Sequence, residues 1–128
     1  MHLAGAGERV LVVDDDAWVR TTIAEVLEYA GYDVLMAHNG ADALAIMRST
    51  RPDCVVLDLL MPVLDGLDFL RAYRRERLCA STPVLVISAS QSLADAVRSE
   101  FEVEHILIKP FDIQAFLQAL KHLLKLAL

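Results

Sequence analysis

At 128 residues, 55% of them hydrophobic, the chain is the size of one domain and can bury a core without disulfides or structural metal. A net charge of −6 argues against nucleic-acid binding, which needs a basic face against phosphate. No apolar run approaches the roughly 18 residues that span a bilayer, and Met1–Glu8 has neither the basic start nor the apolar centre of a signal peptide, so the cytoplasm is the expected compartment.

Arg9–Val13 is a short apolar run that stops at Asp14, Asp15 and Asp16, and it predicts a first strand. Val19, Ile23, Val26, Leu27 and Ala30 then recur along one helical stripe, with Gly31 as the stop. Asp33–Ala37 predicts the second strand. A second helix follows from about Ala41 to Met47 or slightly beyond, with Asn39 as its cap and Pro52 after it. Cys54–Leu57 is the third strand, and it also ends in acid, at Asp58. A third helix starts near Asp65-Gly66 and carries Leu67, Leu70 and Tyr73 on one face. Pro83–Ser88 predicts the fourth strand and about Leu93 to Phe101 the fourth helix. His105–Ile108 is the fifth strand, leading into Lys109-Pro110. Ile113, Phe116, Leu117, Leu120, Leu123 and Leu124 form the broad apolar stripe of the fifth helix, with Asp112 at its start. The mean hydropathy of +0.41 is high, as strands buried on both faces require.

This alternation predicts an α/β fold with a doubly wound, five-stranded parallel sheet covered by helices on both faces. Ligands of such sheets bind beyond the carboxyl ends of the strands. The loops there hold Asp14, Asp15 and Asp16, then Asp58, Ser88 and Lys109. Converging carboxylates repel and raise one another's pKa unless a cation occupies the site. Mg²⁺ takes carboxylates, waters and phosphate oxygens, so Asp15 and Asp58 are candidate ligands and Asp14 a candidate holder of a metal-bound water. Taken singly, each Asp reads equally well as a helix cap or turn residue. Lys109 has the charge to neutralise a phosphoryl oxygen, and Pro110 permits a cis bond after it. The Ser88 hydroxyl can donate to a phosphate oxygen or cap the following loop.

Other features are unremarkable in function. Gly5-Ala6-Gly7 precedes the first strand and lacks a third Gly, so it is no dinucleotide fingerprint. Arg71, Arg74, Arg75 and Arg77 read as a solvated helix face. Cys54 and Cys79 read as buried free thiols. Trp18, three residues after Asp15, is expected to be partly buried at the start of the first helix.

Four stretches together carry a resemblance: Val12-Val13-Asp14-Asp15-Asp16, Leu57-Asp58-Leu59-Leu60-Met61-Pro62 with Asp65-Gly66, Val86-Ile87-Ser88-Ala89, and Lys109-Pro110-Phe111. In this order and spacing, from Arg9 to about Leu124, the chain resembles the receiver domain of two-component response regulators. The resemblance implies a flavodoxin-like (βα)5 fold with strand order 2-1-3-4-5. It also implies one receiver domain over residues 1–128, with a tail at 1–8 and a core at 9–126. Asp58 would accept a phosphoryl group from a sensor histidine kinase or histidine phosphotransfer protein. Mg²⁺ would be bound by Asp15, Asp58 and the Leu60 backbone carbonyl, with Asp14 acting through water, while Lys109 and Ser88 bind phosphoryl oxygens.

The implied role is a conformational switch that controls an output domain or partner, with no enzymatic activity beyond its own phosphorylation and dephosphorylation. The fourth helix, fifth strand and fifth helix would form the face for that partner or for a homodimer, with no contact to nucleic acid or membrane. The chain departs from the family in three places. Ile106 stands where many receivers have an aromatic switch residue. Phe101-Glu102-Val103-Glu104 replaces a common Gly-Ala. Leu60 and Ser90 occupy positions that tune dephosphorylation, and apolar Leu60 is expected to shield the acyl phosphate from water. A haloacid-dehalogenase-like phosphatase matches Asp14-x-Asp16 by letter, but it needs a larger core and gives Asp58 no role. A constitutive interaction module leaves the complete acid, Ser and Lys set without a purpose.

Overall fold

The computed structural model describes residues 7–59, 66–77, 82–101, 103 and 105–126. Val, Leu and Ile crowd five short segments, and such residues fit a pleat buried on both sides. These segments are β1 (Arg9–Val13), β2 (Asp33–Ala37), β3 (Cys54–Asp58), β4 (Val84–Ser88) and β5 (His105–Ile108). Between and after them lie α1 (Ala17–Tyr29), α2 (Gly40–Ser49), α3 (Gly66–Arg75), α4 (Gln91–Glu100) and α5 (Ile113–Leu126). The strands form one parallel sheet in the order β2-β1-β3-β4-β5. This is the flavodoxin-like arrangement that the resemblance implied.

Alternation along each strand divides the core in two. Leu11, Val13, Val55, Leu57, Val84 and Val86 pack with Leu44 and Met47 of α2, Phe69 and Tyr73 of α3, and Val97 of α4. Val10, Val12, Val56, Leu85 and Ile87 face the other way, onto Leu27 of α1 and Phe116, Leu120 and Leu123 of α5. Cys54 belongs to this second layer as a buried thiol, while Cys79 lies outside the described residues.

The helix starts are fixed by polar caps. Asp16 accepts from the Trp18 and Val19 amides, Asn39 from Asp42, Ser90 from Leu93, and Asp112 from Ala115. Gly31, at φ +99°, takes the left-handed turn that ends α1, a conformation costly to a residue with a Cβ.

Several boundaries differ from expectation. β3 continues through Asp58, which pairs with Ile87 of β4. β4 begins at Val84 because Pro83 has no N–H to give the ladder. α2 extends over Gly40–Ser49, since its cap lies directly before Gly40. α4 begins at Gln91, two residues earlier than expected, because Ser90 caps it, and it ends at Glu100.

Trp18 contradicts the expectation of partial burial: it is 80% exposed. Nine residues separate it from buried Leu27, and at about 100° per residue that places it roughly half a turn away from the buried stripe.

The basic face of α3 is exposed, yet it is more than a solvated surface. Arg71 grips Glu100 of α4 with two bonds of 2.9 and 3.0 Å. Arg74 donates to the Glu100 carbonyl and lies 4.7 Å from the Phe101 ring centroid. Arg48 of α2 pairs with Glu76 just beyond α3. The second, third and fourth helices are thereby cross-braced along one side of the sheet.

Candidate functional site

β1 and β3 are neighbours in register, with Val13 opposite Leu57. The next residues, Asp14 just past β1 and Asp58 at the end of β3, therefore lie side by side at the carboxyl edge of the sheet. One carboxylate oxygen from each of Asp14, Asp15 and Asp58 lies within 4.8 Å of the other two. Asp14 and Asp58 are buried, whereas Asp15 is exposed.

β4 and β5 contribute the remaining polar groups. Ser88 is the last residue of β4 and is buried. Its carbonyl accepts from the Lys109 amide at 2.8 Å, which ties the ends of these two strands together. The Lys109–Pro110 bond is cis. Lys109 Nζ stands 3.7 Å from Asp58 Oδ2. The Ser88 hydroxyl accepts from the Ser90 amide and contacts the Ser90 carbonyl, both at 3.0 Å, so it closes the loop that leads into α4. Leu60 lies outside the described residues.

Three carboxylates against one ammonium leave the site electron-rich. The Asp14 pKa is pushed up to about 6. Burial is the main cause, with the charges of Asp58 and Asp15 adding to it. The Asp16 amide and the Lys109 charge oppose the shift. Asp14 Oδ1 accepts from the Asp16 amide at 2.9 Å, but Oδ2 is buried without a hydrogen-bond partner. Buried acceptors are ordinarily satisfied. An orphaned carboxylate oxygen beside two further carboxylates is what an oxygen-loving divalent cation with its waters would satisfy, so the residues present fit Mg²⁺.

Asp16 is absent from this cluster. Its carboxylate is spent on the first amides of α1, which removes the second acid that an Asp14-x-Asp16 phosphatase would use. Ile106 is partly buried against the core layer shared with α3 and α4. The sequence did not nominate Arg20, whose guanidinium donates to the Asp14 carbonyl at 2.7 Å. The only signal available was its place one helical turn beyond Asp16.

A doubly wound sheet in this strand order, with acids at the ends of β1 and β3 and a Lys after β5, defines the receiver class of α/β signalling proteins. The chain belongs to the response regulator receiver domain family, whose profile matches residues 10–121. Among curated proteins it is 39% identical over 118 residues to Response regulator MprA of Mycobacterium avium and to its namesake in Mycobacterium tuberculosis. Those matches cover 91% of this chain and 51% and 50% of the relatives, so the chain spans about half the length of the curated proteins it matches.

Among solved structures, chemotaxis protein CheY4 of Vibrio cholerae superposes with a TM-score of 0.82 at 31% identity, covering 92% of this chain and 99% of that one. The receiver domain of Francisella response regulator 1452 gives 0.84 at 30% identity, covering 95% and 100%. Thermotoga maritima response regulator TrrA, solved in complex with Mg²⁺-BeF, gives 0.78 at 28% identity, covering 91% and 98%. Receiver domains serve phosphorelay signalling through phosphorylation of an aspartate, and that is the regulatory function of this chain. Among the described residues, no helix is long and apolar enough to cross a membrane.

Proposed function

We propose that Asp58 is the phosphoryl acceptor and that the donor is a phosphohistidine on a sensor histidine kinase or a histidine phosphotransfer protein. The observation that carries this is the convergence of the Asp14, Asp15 and Asp58 carboxylates within 4.8 Å, with Lys109 at 3.7 Å from Asp58. A carboxylate oxygen of Asp58 attacks phosphorus, the P–N bond breaks, and its electron pair returns to the imidazole. The product is an acyl phosphate on Asp58. Such transfers depend on positioning and charge neutralisation more than on covalent help. Lys109 neutralises a phosphoryl oxygen, and Ser88 is the hydroxyl donor at the end of β4.

Asp15 and Asp58 would hold Mg²⁺, with Asp14 through water and, by family resemblance, the Leu60 carbonyl. When bound, the ion neutralises charge on the phosphoryl oxygens. The TrrA complex with Mg²⁺-BeF supports this ligand class in a relative.

The function is regulatory, and the only turnover is the gain and loss of this domain's own phosphoryl group. Residues 1–128 form one receiver domain, with its core at 9–126 and a tail at 1–8. New charge at Asp58 biases Ser88, α4 and β5, and the face of α4, β5 and α5 meets an output domain, a partner or a second copy. Moving a two-state equilibrium from about 1:99 to 99:1 takes roughly 5.5 kcal/mol, a scale that a dianion contacting Lys109, Ser88 and a divalent ion can supply. The domain works in the cytoplasm and touches neither nucleic acid nor membrane.

Phosphorylation with labelled acetyl phosphate and Mg²⁺ tests this. Label is expected on the wild-type chain and absent from Asp58→Asn. Label retained by Asp58→Asn overturns the assignment, and sustained hydrolysis of a free phosphate ester that depends on Asp14 favours a phosphatase instead.

A further inference from the structure

We propose that Arg20 is a positioning residue for the acid cluster, acting through the main-chain carbonyl of Asp14. The inference rests on the reading of this cluster as a Mg²⁺ and phosphoryl site.

Asp14 lies one residue past the end of the β1–β3 ladder. Its polar groups are held one by one. Its amide donates to the Ala37 carbonyl at 3.2 Å. Its carbonyl accepts from Arg20 Nη1 at 2.7 Å. Oδ1 accepts from the Asp16 amide at 2.9 Å, and buried Oδ2 alone is left without a partner. The protein thus fixes Asp14 on three sides and leaves one oxygen unsatisfied beside Asp15 and Asp58.

Arg20 is suited to this task. Its own amide donates to the Asp16 carbonyl at 2.9 Å, so the first turn of α1 and the 14–16 loop are bound to each other at both ends. A guanidinium stays charged at any working pH, and a charged donor makes the stronger kind of hydrogen bond. The bond goes to a main-chain carbonyl, so it consumes no carboxylate lone pair that a metal or its waters would need. Arg20 therefore stiffens Asp14 without competing for the site. Partners that orient a metal-binding group typically matter about tenfold or more in affinity.

The test uses the full chain and Mg²⁺ alone as the probe, followed by amide NMR. Arg20→Met keeps the apolar stem and removes the donor. It is expected to speed hydrogen exchange at the Asp16 amide in metal-free protein and to weaken Mg²⁺ binding about tenfold, while Arg20→Lys, which keeps a cationic donor, recovers part of both. Exchange and affinity both within about twofold of wild type in Arg20→Met would overturn the proposal. If Arg20→Met does not fold, the wild-type chain still decides. The Arg20 guanidinium protons are expected to exchange more slowly than those of exposed Arg75, and equal exchange overturns the proposal. A wild-type chain whose amides near Asp15 and Asp58 ignore Mg²⁺ overturns the site reading itself. Normal wild-type binding with an unchanged Arg20→Met removes only the role of Arg20.

Discussion

The Lys109 ammonium faces the Asp58 carboxylate at 3.7 Å, near enough for Coulomb attraction and too far for a hydrogen bond. At that separation the pair is held by charge and not by a direct hydrogen bond. Lys109→Met is expected to keep or raise Mg²⁺ affinity, because a competing cation is gone, and to lose the response to a phosphoryl mimic such as fluoroberyllate. Paired titrations by NMR check this, and a full mimic response in Lys109→Met would contradict it.

Asp14 gives the site a pH dependence with a definite sign. Its carboxyl is held above its ordinary value of 3.8, at about 6, so the folded chain binds this proton more tightly than the unfolded chain does. The resulting stability is fully present below 3.8 and is lost as pH rises through about 6. Metal-free Asp14→Asn is expected to lack this decline, and urea midpoints across that window measure the difference. Mg²⁺ needs the ionised form, so its apparent affinity for wild type should climb up to about pH 6 and then level off.

Gly66 opens α3 against the backbone of Leu59, one residue past β3. A Cβ there would sit 2.6 Å from Leu59 Cα and 2.8 Å from Leu59 Cδ2. Because one of those atoms is main chain, Gly66→Ala must shift the segment beside Asp58. A loss of about 1–3 kcal/mol in urea unfolding is expected, accompanied by slower labelling from acetyl phosphate. An unperturbed Gly66→Ala would mean that Leu59 yields freely.

Trp18 is the only tryptophan and is 80% exposed. Its emission is expected to be red-shifted and quenched by acrylamide nearly as readily as that of a free indole. Trp18→Phe should leave the urea midpoint unchanged. Strong protection from the quencher would place the ring against a surface that it does not touch here.

The strands were legible because burial on both faces leaves an unmistakable mark. Arg9–Val13, Asp33–Ala37 and His105–Ile108 have the expected bounds. That Asp14, Asp15 and Asp58 lie at one edge of the sheet was also readable, since parallel strands all end on the same side; that β1 and β3 are neighbours was not. Sheet order was not written in any local pattern, because it depends on where each crossover lands, and it came only with the family resemblance. The start of α4 was obscured by Ser88, Ser90 and Ser92, three capable caps within five residues; Ser90 caps the helix. Trp18's outward turn depends on how α1 is rotated against the sheet. The bond from Arg20 ends on a carbonyl, which every residue possesses, so no residue type betrays it.

The loop between β4 and α4 imposes one last condition. The Ser88 hydroxyl has a single proton, and here it goes to the Ser90 carbonyl, while Ser90 in turn holds the first turn of α4. Offering that proton to a newcomer at Asp58 means withdrawing it from Ser90, so the two bonds exclude each other. On the proposed role of Asp58, an event at one strand's end would reach the next helix by subtraction, through a bond given up, and this route would need no bulky side chain at Ile106 to carry it.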